Sequence, residues 1–189
     1  MMPNIGKKLR EAQFFLEKMR DQEKRAFGDK EPFDFYLSAF LSAVRTVDYR
    51  LRHEEKATYP AWRTAWNAAH AAEDKRITFL NDDRRLEVHE SGSTRMQLTE
   101  EIKVGMGGSY SDRSGTLQVF GCPSPLVGVD TGTTIYKPRY VFMSDEQERS
   151  ATDVCAEGLR SLEQMVAQYS ADQQRQTTSE TPAARPSLD

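Results

Sequence analysis

Arg84-Arg-Leu-Glu-Val-His89 sets a guanidinium and an imidazole five residues apart, a pairing suited to proton transfer beside an anion. A neutral imidazole near its unperturbed pKa takes up and returns a proton around neutrality. A guanidinium stays charged, and its planar fork suits phosphoryl oxygens better than an ammonium does. Arg85 and Glu90 stand next to the pair in the sequence, and Arg45 lies upstream. Arg63 and His70 repeat the pattern with six residues between them, seven apart on one helical face. The competing account of Arg84 and Arg85 is a solvated loop among Asp82, Asp83, Glu87 and Glu90, with His89 capping a chain end. The same carboxylates with a single histidine have no zinc-type spacing, so no metal is expected there. Gly105-Met-Gly-Gly-Ser109 lacks the Lys-Ser/Thr end of a phosphate loop and reads as a hairpin turn.

These groups depend on helices for their placement. Ile5, Leu9, Ala12, Phe15, Leu16 and Met19 recur at three and four residues, which predicts an amphipathic helix ending near Gly28. Pro32 suits the first turn of a second helix, about Phe33 to Glu54. Phe35, Tyr36, Leu37, Phe40, Leu41, Val44, Val47 and Leu51 make it apolar on more than one stripe, so it is expected at the centre of a bundle. Ser38, Ala39, Ser42 and Ala43 allow another helix close. On this helix Arg45 and Asp48 stand one turn apart and are candidates to pair with each other or to reach a ligand. Tyr59-Pro60 starts a third helix running to about Arg76, with Trp62, Ala65, Trp66 and Ala69 on one face and burial continuing through Ile77, Phe79 and Leu80. The tryptophans are suited to core or dimer packing, although exposed indoles also stack on bases.

After Ser91-Gly-Ser93 the period changes. Met96, Leu98, Ile102, Val104 and Met106 alternate as in a strand, and Thr116–Cys122 and Thr133–Met143 read as further strands. Pro138 restricts the last to an edge or a break. Ser144-Asp-Glu-Gln147 fits a capping box, followed by a helical stripe of Val154, Cys155, Leu159, Leu162, Met165, Val166 and Tyr169. The expected fold is mainly α: an up-and-down four-helix bundle over residues 1–171, with a small antiparallel sheet inserted at about 94–143 between the third and last helices. Residues 172–189, rich in Gln, Thr, Ser and Pro, are expected to be a disordered tail.

The aromatic helix Phe33-Asp-Phe-Tyr-Leu-Ser-Ala-Phe-Leu-Ser-Ala-Val-Arg45 resembles the second helix of small bacterial proteins of the HEPN superfamily. The preceding Ala12-Gln-Phe-Phe-Leu-Glu-Lys-Met19 and the Arg84-x4-His89 spacing are also similar to that family, over roughly residues 5–90. The resemblance implies a helical bundle, commonly a homodimer, whose paired Arg and His residues bind or cleave RNA in bacterial defence or stress response. It favours Arg84 and His89 over Arg63 and His70, because the family carries its motif after the third helix. In members that are nucleases, the imidazole takes the proton of a ribose 2′-hydroxyl, the freed oxygen attacks the adjacent phosphate, and the guanidinium stabilises the developing charge without a metal or cofactor. His89 would be the base or acid and Arg84 the phosphate clamp, with Arg85, Arg45 and Glu90 as secondary contacts. Ser91 stands where the toxin branch has Tyr, which speaks against that branch. The alternative is a helical module that binds nucleotide, RNA or protein without cleaving it.

The bulk composition narrows these options. A length of 189 residues supports one domain with a true core. The net charge of −3 excludes a chain that binds nucleic acid over its whole surface, though not a local basic patch. No stretch reaches the ~18 apolar residues of a membrane span. Cys122 and Cys155 sit in no ligand spacing and read as free thiols, which with the absence of a leader sequence predicts a cytoplasmic protein.

Overall fold

A computed structural model of the chain describes residues 3–25, 31–89, 95–104, 110–112, 115–117, 133–144 and 147–179. Among them the chain is mainly helical, with five α-helices and a small three-stranded antiparallel sheet. Helix α1 (Pro3–Glu23) buries Ile5, Leu9, Ala12, Leu16 and Met19, the expected stripe. It stops at Glu23, short of Gly28, which lies outside the described residues. Helix α2 (Glu31–Glu54) carries Pro32 in its first turn and Glu31 and Asp34 at its positive end, where both carboxylates are favoured.

Eight side chains of α2 are buried, from Phe33 to Leu51, and each contributes up to about 1.5–3 kcal/mol for the larger apolar groups. Packing of this wide face, more than helix propensity, holds the element in place. Yet α2 is not covered all round: Phe35 and Tyr49 are 66% and 65% exposed on its other side.

The expected third helix is two helices. Helix α3 (Tyr59–Ala69) and helix α4 (Ala71–His89) are separated by His70, whose φ of −130° and ψ of 51° leave the helical region. The His70 amide still donates to the Trp66 carbonyl at 2.9 Å, and its own carbonyl accepts from Asp74, so the break is one residue wide. Neither Ala69 nor Ala71 announces it. Asn81, Asp82, Asp83, Arg84 and Arg85 therefore lie inside α4, not on a loop after it, which corrects the solvated-loop account; Asp83 is in fact buried.

Strand β1 (Arg95–Val104) is followed by the paired β2 (Tyr110–Asp112) and β3 (Gly115–Leu117), then β4 (Thr133–Ser144) and β5 (Gln147–Ser150). The order in the main sheet is β1-β4-β5, all antiparallel, with Arg95 opposite Phe142 and Thr99 opposite Pro138. Strand β5 reaches only Val141–Ser144 of β4. At Pro138 the strand is thus paired on one side only, which is how a residue without an N–H fits a strand that is central further along. The rest of the strand expected over Thr116–Cys122, and the Gly105–Ser109 turn, lie outside the described residues.

The sheet docks on the start of α2. Phe33 stacks on Tyr140 at 3.7 Å between ring centres, Arg95 lies over both rings, and Arg95 pairs with Asp34. Phe142 meets Phe79 of α4 edge-on.

Helix α5 (Ala151–Ser179) starts seven residues after Ser144, not at it. Ser144 and Gln147, the two ends of the expected capping box, face each other across the β4–β5 hairpin instead. Ser150 takes the capping role, its Oγ accepting from the Asp153 amide at 3.4 Å. At the other end α5 runs past Asp172 to Ser179, where a tail was expected; Trp62 Nε1 donates to Asp172 at 2.9 Å and Trp66 Nε1 to Gln168, which hold this stretch against α3.

Helix α1 packs on α2 and α5, α2 packs on α4, and α4 packs on α5 around one core, with α3 against α2, α4 and α5. The α4–α5 crossing is tight at Gly158. A Cβ there would overlap Leu80 Cδ1 and stand 3.0 Å from Leu80 Cγ, and Leu80 is fully buried. Overpacking costs about 1–3 kcal/mol, while Gly→Ala in a helix returns about 1 kcal/mol. Gly158→Ala is therefore expected to lower the urea midpoint, and to raise it in a Leu80→Ala background. A Gly158→Ala protein more stable than wild type would show that the crossing is looser than described.

Candidate nucleic-acid interface

Arg84 is half-buried on α4, and its Nε donates to Ser42 Oγ on α2 at 2.8 Å. That hydrogen bond holds the guanidinium against α2 where the small Ser42 lets α4 approach. Arg45 follows Ser42 by one turn and is exposed, and Arg85 is exposed beside Arg84. Arg84 thus sits where α2 and α4 meet, with Arg45 one turn from Ser42 along α2 and Arg85 next to Arg84 along α4. His89 is the last residue of α4; Glu90 lies outside the described residues. Five positions on an α-helix turn about 140°, so positions 84 and 89 lie on different sides of α4, whereas 85 and 89 lie on one side.

Arg63 and His70 have another use. Arg63 is only 6% exposed. Its Nη2 donates to Asp74 Oδ1 at 2.7 Å, its Nε stands 3.8 Å from Asp48 Oδ1, and its guanidinium lies 5.0 Å from the Trp66 ring. Asp48 also accepts from Tyr59 Oη and from Arg52 Nε, each at 2.7 Å. It is engaged there, not with Arg45, so the pairing weighed from the sequence is replaced by a network that joins α2, α3 and α4. Burial, and then the neighbouring Asp48 charge, push the Tyr59 phenol well above its ordinary pKa and keep it a donor. His70 stacks on Trp66 at 4.8 Å and 8°, closing a run of rings from Tyr59 through Trp62 and Trp66. These rings pack on α5 through Tyr169, whose hydroxyl meets Thr58 Oγ1 at 2.8 Å. The tryptophans are structural, and Arg63 is committed to Asp48 and Asp74.

Spacing along α2 singles out Asp48 but not its partners on α3. The available signal was Tyr59, Arg63, Trp66 and His70 at four, three and four residues, a charged group on an aromatic face.

Among the described residues no three His, Cys, Asp or Glu side chains come together as a metal-ligand set. Cys155 is a free thiol, fully buried, and its pKa is raised by burial and then by Asp83 and Glu23, so it is a packing residue with little thiolate character. A groove of about 650 Å³ between α1, β5 and α5 is lined by both signs, with Arg149 paired to Glu157 at 2.6 Å and Arg139 to Glu148 at 3.7 Å. Its charges largely neutralise one another, so it has little attraction for a polyanion. None of the described helices is long and apolar enough to cross a membrane. Comparison with protein-family models, curated proteins and solved structures finds no match to this chain.

Proposed function

We propose that this is a HEPN-like RNA-directed protein, with α1, α2, α4 and α5 as an up-and-down four-helix bundle and the sheet as an elaboration. In this reading Arg84, Arg85 and Arg45 hold the phosphates of RNA, and His89 makes the protein a metal-independent endoribonuclease of the bacterial cytoplasm, in defence or stress response. The observation that carries it is the Arg84–Ser42 hydrogen bond, which holds a guanidinium of α4, the helix that ends in His89, against α2 one turn before the exposed Arg45. Guanidinium groups fixed by the fold recognise phosphate with less loss of side-chain freedom than mobile ones. Because positions 84 and 89 lie about 140° apart around α4, a homodimer that pools two Arg/His pairs in one cleft is part of the proposal.

The same separation favours a second reading, a module that binds RNA without cutting it. Both readings require phosphate contacts. Fluorescence anisotropy of a labelled RNA strand against salt tests them: Arg45→Gln and Arg84→Gln are expected to weaken binding of any sequence, each reducing the salt slope by about 0.7. Unchanged affinity and slope in both variants would reject the interface.

A further inference from the structure

The exposed side of α2 continues the same face with an aromatic group. Arg45, Tyr49, Arg52 and His53 stand at i, i+4, i+7 and i+8, within about 100° of one side of the helix. All four are exposed; Tyr49 is 65% exposed, and its ring lies over that of His53 at 6.2 Å and 24°. A large ring left in water between two guanidinium groups is not explained by the core, which lies on the opposite side with Val44, Val47 and Leu51.

The charge of this side is positive. Asp48, the residue before Tyr49, is already engaged with Arg52, Tyr59 and Arg63. Glu54 lies about 180° round the helix from Arg45. Arg52 keeps 57% of its side chain exposed while its Nε holds Asp48. The stripe begins one turn after Ser42, where Arg84 is anchored, so it is continuous with the phosphate-binding face.

We infer that Tyr49, backed by His53 and flanked by Arg45 and Arg52, is a base-stacking platform that receives an unpaired segment of RNA beside the Arg84 phosphate contact. This rests on the RNA reading and names its substrate class more closely: a single strand, since a base in a duplex has no free face to offer. Stacking on an aromatic ring tolerates any base, while the two arginines track the backbone. Tyr49 is a positioning residue here, and the platform favours affinity for a strand without selecting its sequence.

The test is fluorescence anisotropy with the full chain and three probes: a labelled 2′-O-methyl oligoadenylate, which the proposed chemistry cannot cut, an abasic strand with the same number of phosphates, and a duplex of the same length. Tyr49→Ala is expected to weaken binding of the oligoadenylate about tenfold or more and to leave the abasic strand unaffected, with Tyr49→Trp retaining wild-type affinity. Thermal melting should show all three proteins equally folded, because the side chain is exposed. If Tyr49→Ala binds the oligoadenylate as wild type does while Arg84→Gln is weakened, the platform is wrong and the RNA reading stands. Binding the duplex as tightly as the single strand also overturns the platform. If wild type binds no probe, both fall, and a Tyr49-dependent change in oligomeric state would then reassign this side of α2 to a protein contact.

Discussion

Replacing Arg63 by methionine is expected to lower the unfolding free energy by about 3 kcal/mol, at the lower end of what losing one partner of a buried ion pair costs. The side chain is 7% exposed and faces Asp74 at 2.7 Å and Asp48 at 3.8 Å, whose side chains are 26% and 14% exposed. Methionine restores the volume and leaves both carboxylates without their shared cation. Asp48 keeps Arg52 and Tyr59, which places the loss at the lower end. Two further nitrogens of Arg63, Nε and Nη1, are buried and make no hydrogen bond to a described residue, so some of the pair's attraction is already offset by desolvation. Replacing all three groups together, Asp48→Leu, Arg63→Met and Asp74→Leu, is expected to recover much of the loss, as apolar substitutes for buried ion pairs often do. Equilibrium urea denaturation at neutral pH checks both. A loss under 1 kcal/mol for Arg63→Met would mean that water reaches the cluster freely.

The second large effect concerns chemistry. His89→Ala is expected to slow metal-free RNA cleavage by about 10²–10⁴-fold, the usual range for a general acid or base. Arg84→Ala is expected to slow it by about 10²–10³-fold, as when a preorganised donor to developing phosphoryl charge is removed. Arg84→Lys should recover only part of that, because an ammonium lacks the planar fork that can meet Ser42 and a phosphate together. Arg63→Met and His70→Ala, from the aromatic cluster, should cut normally at temperatures where they remain folded. Time courses with EDTA present measure all five. Cleavage lost in His70→Ala but kept in His89→Ala would move the chemistry to the other Arg/His pair.

The elements that follow a single hydrophobic period were legible in the sequence. The stripes of α1, α2 and α5 and the alternation in β1 needed only the residues themselves. The features that were missed are set by partners distant in the chain. His70 interrupts a run of good helix formers, and Arg63, reaching from α3 to Asp74 of α4, ties the two pieces across the break. Ser144 and Gln147 have the local form of a capping box, but β4–β5 pairing engages both. The composition from Asp172 onward is that of a tail, yet Trp62, 110 positions away, donates to Asp172 and keeps it within α5. At the candidate site the cations were legible by type. What was not legible was that Arg84 would be anchored by Ser42 while Arg63, of the same type, would be consumed by the core. Burial and ion pairing divide the two arginines, and neither can be read from spacing.

The most direct test of the central claim is product analysis of one labelled RNA strand and its 2′-O-methyl counterpart, each incubated with the wild-type chain in EDTA. The account predicts that the RNA is cut to fragments ending in a 2′,3′-cyclic phosphate, and that the methylated strand is bound and stays whole. An RNA strand left intact, or a methylated strand cut equally well, would contradict it.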